Sequence, residues 1–298
     1  MSSYNTIKET SIEERKSSRI FQLRQAINFT TEKLLKAWIP SSSYNLNVLD
    51  VGCGSGGALW KLWKLGMTYY LGIEPSKQRL QEAEKRITDQ MKETSDFYFI
   101  NTSFLQPETW LRSFVSQDTF LSEKKEANGK YDLVYMGFCL HYFMKNISTT
   151  YKWLSAIRQC LRPGGRWIAI TINWDVLRPH LENGKSFKNS ICDIYPVKKD
   201  DSSPWFSYHM KLGDRLPEDQ VEHAVHHQYL ADFALKSFDL KLIHRESFTS
   251  SLLPASAWRL LSDDEKTIYQ FYQVLVFENV FGQAPPPHIH RKRNNLLQ

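Results

Sequence analysis

Val48-Leu49-Asp50-Val51-Gly52-Cys53-Gly54-Ser55-Gly56-Gly57 is the stretch that decides the fold. Its first four residues, three apolar and one acidic, read as a short buried strand, and the glycines follow at once. Behind them Ala58-Leu59-Trp60-Lys61-Leu62-Trp63-Lys64-Leu65 places its apolar residues at helical intervals. Strand, glycine turn and helix together make a cradle of nucleotide size. Glycine is needed there because a side chain would block the approach of backbone to ligand, and because such turns require positive φ. A Gly-x-Gly turn is common to many βα units, so the neighbouring sequence must discriminate among them.

The next strand does so in part. Tyr69-Tyr70-Leu71-Gly72-Ile73-Glu74 alternates and ends in an acid about 20 residues after the glycines, the spacing of a carboxylate that grips ribose hydroxyls. A dinucleotide oxidoreductase and an S-adenosyl-L-methionine (AdoMet) methyltransferase both fit. The acid ahead of the first glycine in Asp50-x-Gly52-x-Gly54-x-Gly56 resembles the class I methyltransferases. So does Leu161-Arg162-Pro163-Gly164-Gly165, followed by the apolar run Trp167-Ile168-Ala169-Ile170. The methyltransferase reading is preferred on the two motifs together.

Bulk properties set the bounds. The 298 residues can bury a sizeable core, and no apolar run approaches the roughly 18 residues of a membrane span. The polar, mixed-charge N-terminus is no secretory signal. Four cysteines (Cys53, Cys139, Cys160, Cys192) lie far apart without metal-type pairing and read as reduced thiols. An intracellular protein of nucleus or cytoplasm, not secreted, is expected. The net charge of +6 is compatible with a polyanionic partner without identifying one.

Organisation follows from the same reading. Residues 1–17 form a polar N-terminal arm and 282–298 a basic tail containing Arg291-Lys292-Arg293. From Ser18 to Trp38 apolar residues recur at helical spacing, ended by Pro40 and three serines. Strands are expected at 46–51, 68–73, 96–101, 131–137 and 165–172 with helices between, the order of a doubly wound α/β sheet. Asn128-Gly129-Lys130 reads as an exposed loop. The Pro-, Ser- and Lys-rich segment after residue 173 reads as an insertion, followed by a helix near 219–237. Late strands are expected at 238–243 and 268–277. One domain over 18–281, with a substrate lid inserted at about 173–230, is the expected plan.

The acceptor is suggested by Phe138-Cys139-Leu140-His141-Tyr142-Phe143, at the carboxyl end of the fourth strand where α/β sheets bind ligands. An imidazole and a phenol there suit a planar, hydrogen-bonding acceptor. On these residues the chain resembles the messenger-RNA cap guanine-N7 methyltransferases. That family has an Arg-x-x-x-Asn-Phe/Trp helix, similar to Arg24-Gln25-Ala26-Ile27-Asn28-Phe29, and a Leu-His-Tyr segment like Leu140-His141-Tyr142. Its Tyr leading through acids to a Glu-Tyr pair is similar to Tyr208, Asp214, Glu218, Asp219 and Glu222-His223. Asp239-Leu240-Lys241-Leu242-Ile243 and Tyr272-Gln273-Val274-Leu275-Val276-Phe277-Glu278 resemble its last strands.

The resemblance implies a Rossmann-like class I methyltransferase with a seven-stranded, mostly parallel sheet and helices on both faces. It implies AdoMet as cofactor, held by Asn28, Asp50, Gly52, Gly54, Glu74, Thr102, Ser103 and Phe138, with Asp50 ordering the glycine turn. It implies guanine contacts from His141, Tyr142, Glu222 and Tyr272, and no general base or metal. Capped RNA 5′ ends would be the partner, with other capping enzymes or an accessory subunit beside it and no membrane. Departures accompany the likeness: family lysines fall at Ser55 and at Thr31 or Glu32, an acid at Thr102, and a glutamine at Gly137. They leave open an acceptor that is a small molecule or another RNA position, or a catalytically weak subunit needing a partner. Two further features have plainer readings. His223, His226 and His227 crowd one expected helix without the glutamate or cysteines of a zinc site, and Trp205-Phe206 anchors the lid.

Overall fold

The computed structural model describes residues 16–39, 45–93, 101–105, 131–197, 206–213 and 216–282. At its centre β1 (Leu46–Val51), buried along almost its whole length, runs parallel to β2 (Met67–Ile73) on one side and to β4 (Tyr131–Gly137) on the other. β3 (Asn101–Leu105) extends the sheet beyond β2, and β5 (Leu161–Ile172) beyond β4, both parallel. Two late strands, β10 (Leu240–Ser247) and β11 (Tyr272–Asn279), complete it in antiparallel sense. The order β10-β11-β5-β4-β1-β2-β3 is a seven-stranded, mostly parallel sheet, the Rossmann-like class I methyltransferase architecture that the sequence implies.

Strand alternation sends side chains to two apolar layers. Val48, Tyr70, Leu133 and Ile168 pack with Leu23, Ile27 and Leu34 of α1 (Phe21–Trp38). Leu49, Val134, Met136 and Trp167 pack instead with Leu154 and Ile157 of α4 (Ile147–Cys160), and with Leu230 and Ala234 of α6 (His227–Phe238). Between these helices in the chain come α2 (Leu59–Trp63), α3 (Lys77–Glu93) and α5 (Trp174–Leu181). Each fully buried Leu or Ile in these layers is worth about 1.5–3 kcal/mol of transfer free energy.

α1 lacks a side-chain cap of its own. The missing acceptor comes from α8 (Asp263–Gln270), which follows α7 (Ala255–Leu260). Glu265 Oε1 accepts from the Leu23 amide at 3.0 Å, while its Oε2 accepts from the Ser262 amide at 2.9 Å. One buried carboxylate thus satisfies the first turns of two helices, favourably placed at the positive end of each dipole. Thr30 Oγ1 and the Tyr269 phenol, 2.6 Å apart, fasten the same helices again.

The insertion is a four-stranded antiparallel sheet: β6 (Phe187–Lys188), β7 (Cys192–Pro196), β8 (Ser207–Leu212) and β9 (Leu216–His223). Here the structure corrects the helix expected at 219–237. Residues 216–223 pair with β8, and the helix starts only at His227. His223 and His227 therefore do not share a helix face. The strand expected at 268–277 is also shortened: α8 runs to Gln270, because Ser262 and Glu265 form a capping box, and β11 begins at Tyr272. The third strand lies at 101–105 rather than 96–101. The N-terminal arm through residue 15, the Asn128-Gly129-Lys130 loop, Trp205 and the tail from 283 fall outside the described residues. Among the described residues no helix is long and apolar enough to cross a membrane.

Candidate active site

The glycine turn is tied to the end of β2. The Gly52 and Cys53 amides both donate to the Ile73 carbonyl, at 2.7 and 3.1 Å. Gly52 has φ +72°, and a Cβ there would lie 2.6 Å from Cys139 Cβ, so only glycine fits. The Gly54 amide donates to Glu74 Oε2 at 3.1 Å, and the Ser76 amide to Glu74 Oε1 at 3.1 Å. Each of these oxygens keeps a lone pair for a further donor. Burial raises the Glu74 pKa, while the Ser76 amide, Arg79 and the Gly54 amide act against it. A Cβ on Gly54 would meet only Arg79 Nη1, at 3.7 Å, which leaves room for a ligand over the turn.

Asp50 takes a different part from the one expected. Its Oδ2 accepts from the Tyr70 phenol at 2.8 Å, across to β2, and it is buried below the turn. The carboxylate that orders the glycines is Glu74. Burial pushes the Asp50 pKa up to about 7, with the Tyr70 hydrogen bond opposing, Glu74 adding and Lys61 opposing. Asn28, exposed on α1, is brought to the turn through Lys61, whose Nζ donates to Asn28 Oδ1 at 3.2 Å and to the Gly57 carbonyl at 3.0 Å. Thr102 and Ser103 are displaced from the expected place. They lie inside β3 in register with Tyr70 and Leu71, short of the strand end where Leu105 pairs Ile73.

At the carboxyl edge of β4 lie the residues expected to face an acceptor. Phe138 leaves the strand with φ +61°, a left-handed conformation unusual for a side chain of this size, and donates its amide to Ile170 at 2.8 Å. Its ring meets Tyr272, the first residue of β11, edge to face at 5.1 Å. His141 follows in a short helical turn, Leu140–Phe143, and Tyr142 tilts against it at 4.0 Å with 37% of its surface exposed. Opposite stands Glu222 on β9. It is in register with Tyr208 of β8, whose phenol donates to Glu222 Oε2 at 3.0 Å.

His141 and Glu222 are both buried, and His141 Nε2 lies 3.7 Å from Glu222 Oε1. That is too long for a hydrogen bond, and His141 Nε2 is a buried polar atom with no hydrogen-bond partner among the described residues. Burial lowers the His141 pKa, with Glu222 opposing, so the imidazole is neutral at neutral pH. A buried unsatisfied nitrogen costs about 1–3 kcal/mol unless a ligand or water meets it. The imidazole nitrogen and the carboxylate oxygen therefore face one another without a direct hydrogen bond.

Sequence reasoning missed Tyr208 as a site residue, although it marked the start of the acidic stretch. It also missed Lys61, whose helical spacing gave no sign that it reaches α1. Phe206 packs on Trp174 of α5, with ring centroids 4.7 Å apart.

The sheet order and the glycine turn define a class I methyltransferase fold. Solved structures agree on the fold alone: a methyltransferase from Clostridium acetobutylicum superposes with TM-score 0.54 at 13% identity, covering 85% of this chain and 91% of that one. The family model of the mRNA (guanine-N(7))-methyltransferase domain matches residues 1–256, and the chain belongs to that family. It is 30% identical over 209 residues to the mRNA cap guanine-N(7) methyltransferase of Schizosaccharomyces pombe, covering 68% of this chain and 54% of that protein. The Drosophila melanogaster enzyme of the same name is 24% identical over 259 residues, covering 82% and 59%. The chain thus spans little more than half the length of these two relatives.

Proposed function

We propose that this chain methylates N7 of the guanine that caps messenger RNA, with AdoMet as donor. The observation that carries the reading is the buried pair of His141 Nε2 and Glu222 Oε1, 3.7 Å apart, beside the partly exposed Tyr142 at the carboxyl edge of the sheet. The names of the relatives support the same acceptor.

The cradle residues fit AdoMet. Glu74 retains lone pairs for ribose hydroxyls, and Gly52 and Gly54 let the backbone approach a methionine chain. Asn28 and Phe138 border the cradle from α1 and β4. AdoMet supplies an electrophilic methyl carbon on a sulfonium. Guanine N7 carries a free lone pair, so the protein need not remove a proton.

Its task is orientation, which in favourable cases is worth about 7–11 kcal/mol. Glu222 Oε1 accepts from the guanine N1–H and amino edge, which adenine lacks. Tyr208 holds the other oxygen and fixes the carboxylate rotamer. His141 meets the purine with its free nitrogen, Tyr142 lies along it, and Tyr272 walls the pocket. Transfer leaves a positive charge on the purine, which the nearby carboxylate favours.

The reading takes residues 18–281 as one methyltransferase domain, with the antiparallel insertion at about 173–230 as a lid over the acceptor. Capped RNA 5′ ends are then the macromolecular partner. The test is labelled methyl transfer to GpppA, to capped RNA and to small acceptors. N7-methylated cap, with affinity for longer RNA that falls as salt rises, is the expected result. AdoMet binding without cap transfer would move the reading to another acceptor or to a subunit that needs a partner.

A further inference from the structure

We infer that Lys61 is the cation that receives the α-carboxylate of AdoMet, an inference that rests on the methyltransferase reading above. The side chain leaves α2, the helix directly after the glycine turn, and folds back toward the turn instead of into solvent. Its Nζ lies 3.0 Å from the Gly57 carbonyl and 3.2 Å from Asn28 Oδ1, so it bridges the turn to α1. Both acceptors are neutral. An ammonium has three N–H donors, which leaves one for a ligand.

The rest of the site argues for the carboxylate as that ligand. The turn itself offers Ser55 and Gly57, and the adjoining positions of α1 are Asn28 and Glu32, none of them cationic. Arg79 lies beside Gly54 and acts on Glu74, the ribose side of the cradle. Arg86 is engaged by the Ser55 carbonyl at 2.8 Å and by Glu82 at 3.2 Å. Lys61 is half-buried, and burial lowers its pKa while Glu32 and then Asp50 raise it, with Lys64 lowering it. A partly desolvated ammonium with anions near but not bonded gains from a carboxylate placed on its open donor.

The experiment is calorimetric binding by the full chain of AdoMet and of 5′-methylthioadenosine, which keeps the adenosine and sulfur but lacks the amino-acid end. Wild type, Lys61→Met, Lys61→Arg and the control Lys64→Met are compared, Lys64 being exposed and packed over Trp60. Lys61→Met should weaken AdoMet by about 10- to 100-fold. It should leave methylthioadenosine within about twofold, while Lys61→Arg retains much of the AdoMet affinity. Equal weakening of both ligands, or no weakening of AdoMet, would overturn the assignment. Failure of the wild type to bind AdoMet at all would instead remove the methyltransferase reading on which it stands, and the assignment with it.

Discussion

Tyr208 and Glu222 face each other in register across β8 and β9, with the phenol donating to Glu222 Oε2 at 3.0 Å and leaving Oε1 turned to His141. The insertion thus contributes the carboxylate and its brace, while the central sheet contributes the imidazole. The two parts of the chain meet at the His141–Glu222 pair. Tyr208→Phe should therefore reduce cap methylation by about tenfold, since one hydrogen bond to a charged group is worth roughly 1.5–3 kcal/mol in stability terms and the carboxylate itself remains. Steady-state kinetics with GpppA, compared with AdoMet affinity that should not change, check this.

Asp50 gives a pH prediction. Its folded pKa of about 7 lies above the ordinary value of 3.8, so the folded protein binds more protons than the unfolded chain between those values. Stability from this group is fully present below pH 3.8 and is lost as pH rises through about 7. Asp50→Asn should then raise the melting temperature relative to wild type more at pH 8 than at pH 5. A shift of the same size at both pH values would contradict the buried, protonation-linked carboxyl.

His141 works in the opposite direction. Burial lowers its pKa below 6.5, so the unfolded chain binds more protons as pH falls past that value and stability declines there. Folding free energies measured between pH 7 and 5 should show a shallower acid loss in His141→Asn than in wild type.

Gly52→Ala should unfold or empty the cradle. The positive φ and the 2.6 Å approach to Cys139 Cβ add strain of about 1–3 kcal/mol. AdoMet affinity should fall by more than about tenfold, the ratio that each 1.4 kcal/mol represents. Calorimetry on the folded fraction measures it.

Glu265→Ala removes the shared cap of α1 and α8. Loss of a cap costs about 0.5–2 kcal/mol. Hydrogen exchange should speed at the Leu23 amide, which then has no acceptor, while amides of β1 stay protected.

Much of this was legible because strand, turn and helix signals agreed. Val48–Val51 is mostly apolar and buried, Gly52 requires its positive φ, and Glu74 directly follows β2 where the spacing put it. The cluster of His141, Tyr142 and Glu222 was readable from Leu140-His141-Tyr142 and Glu222, although Glu222 was expected at a helix start. Residues 216–223 carry Pro and three acids, a composition of helix starts, and only pairing with β8 makes them a strand. Local propensity was overridden there by cross-strand contact. The Ser262–Glu265 capping box was present in the sequence, yet the strand was expected to begin at residue 268. The roles of Asp50 and Lys61 depend on neighbours 20 and 33 residues away, Tyr70 and Asn28, which periodicity does not report.

The most direct test of the account is labelled methyl transfer from AdoMet to GpppA by wild type and Glu222→Ala in parallel, with AdoMet affinity measured on both. The account predicts N7-methylated product from wild type, a loss of about 100-fold or more in the variant, and unchanged AdoMet binding. Transfer that survives the Glu222→Ala change, with methyl still on N7, would contradict the guanine-reading role of this carboxylate.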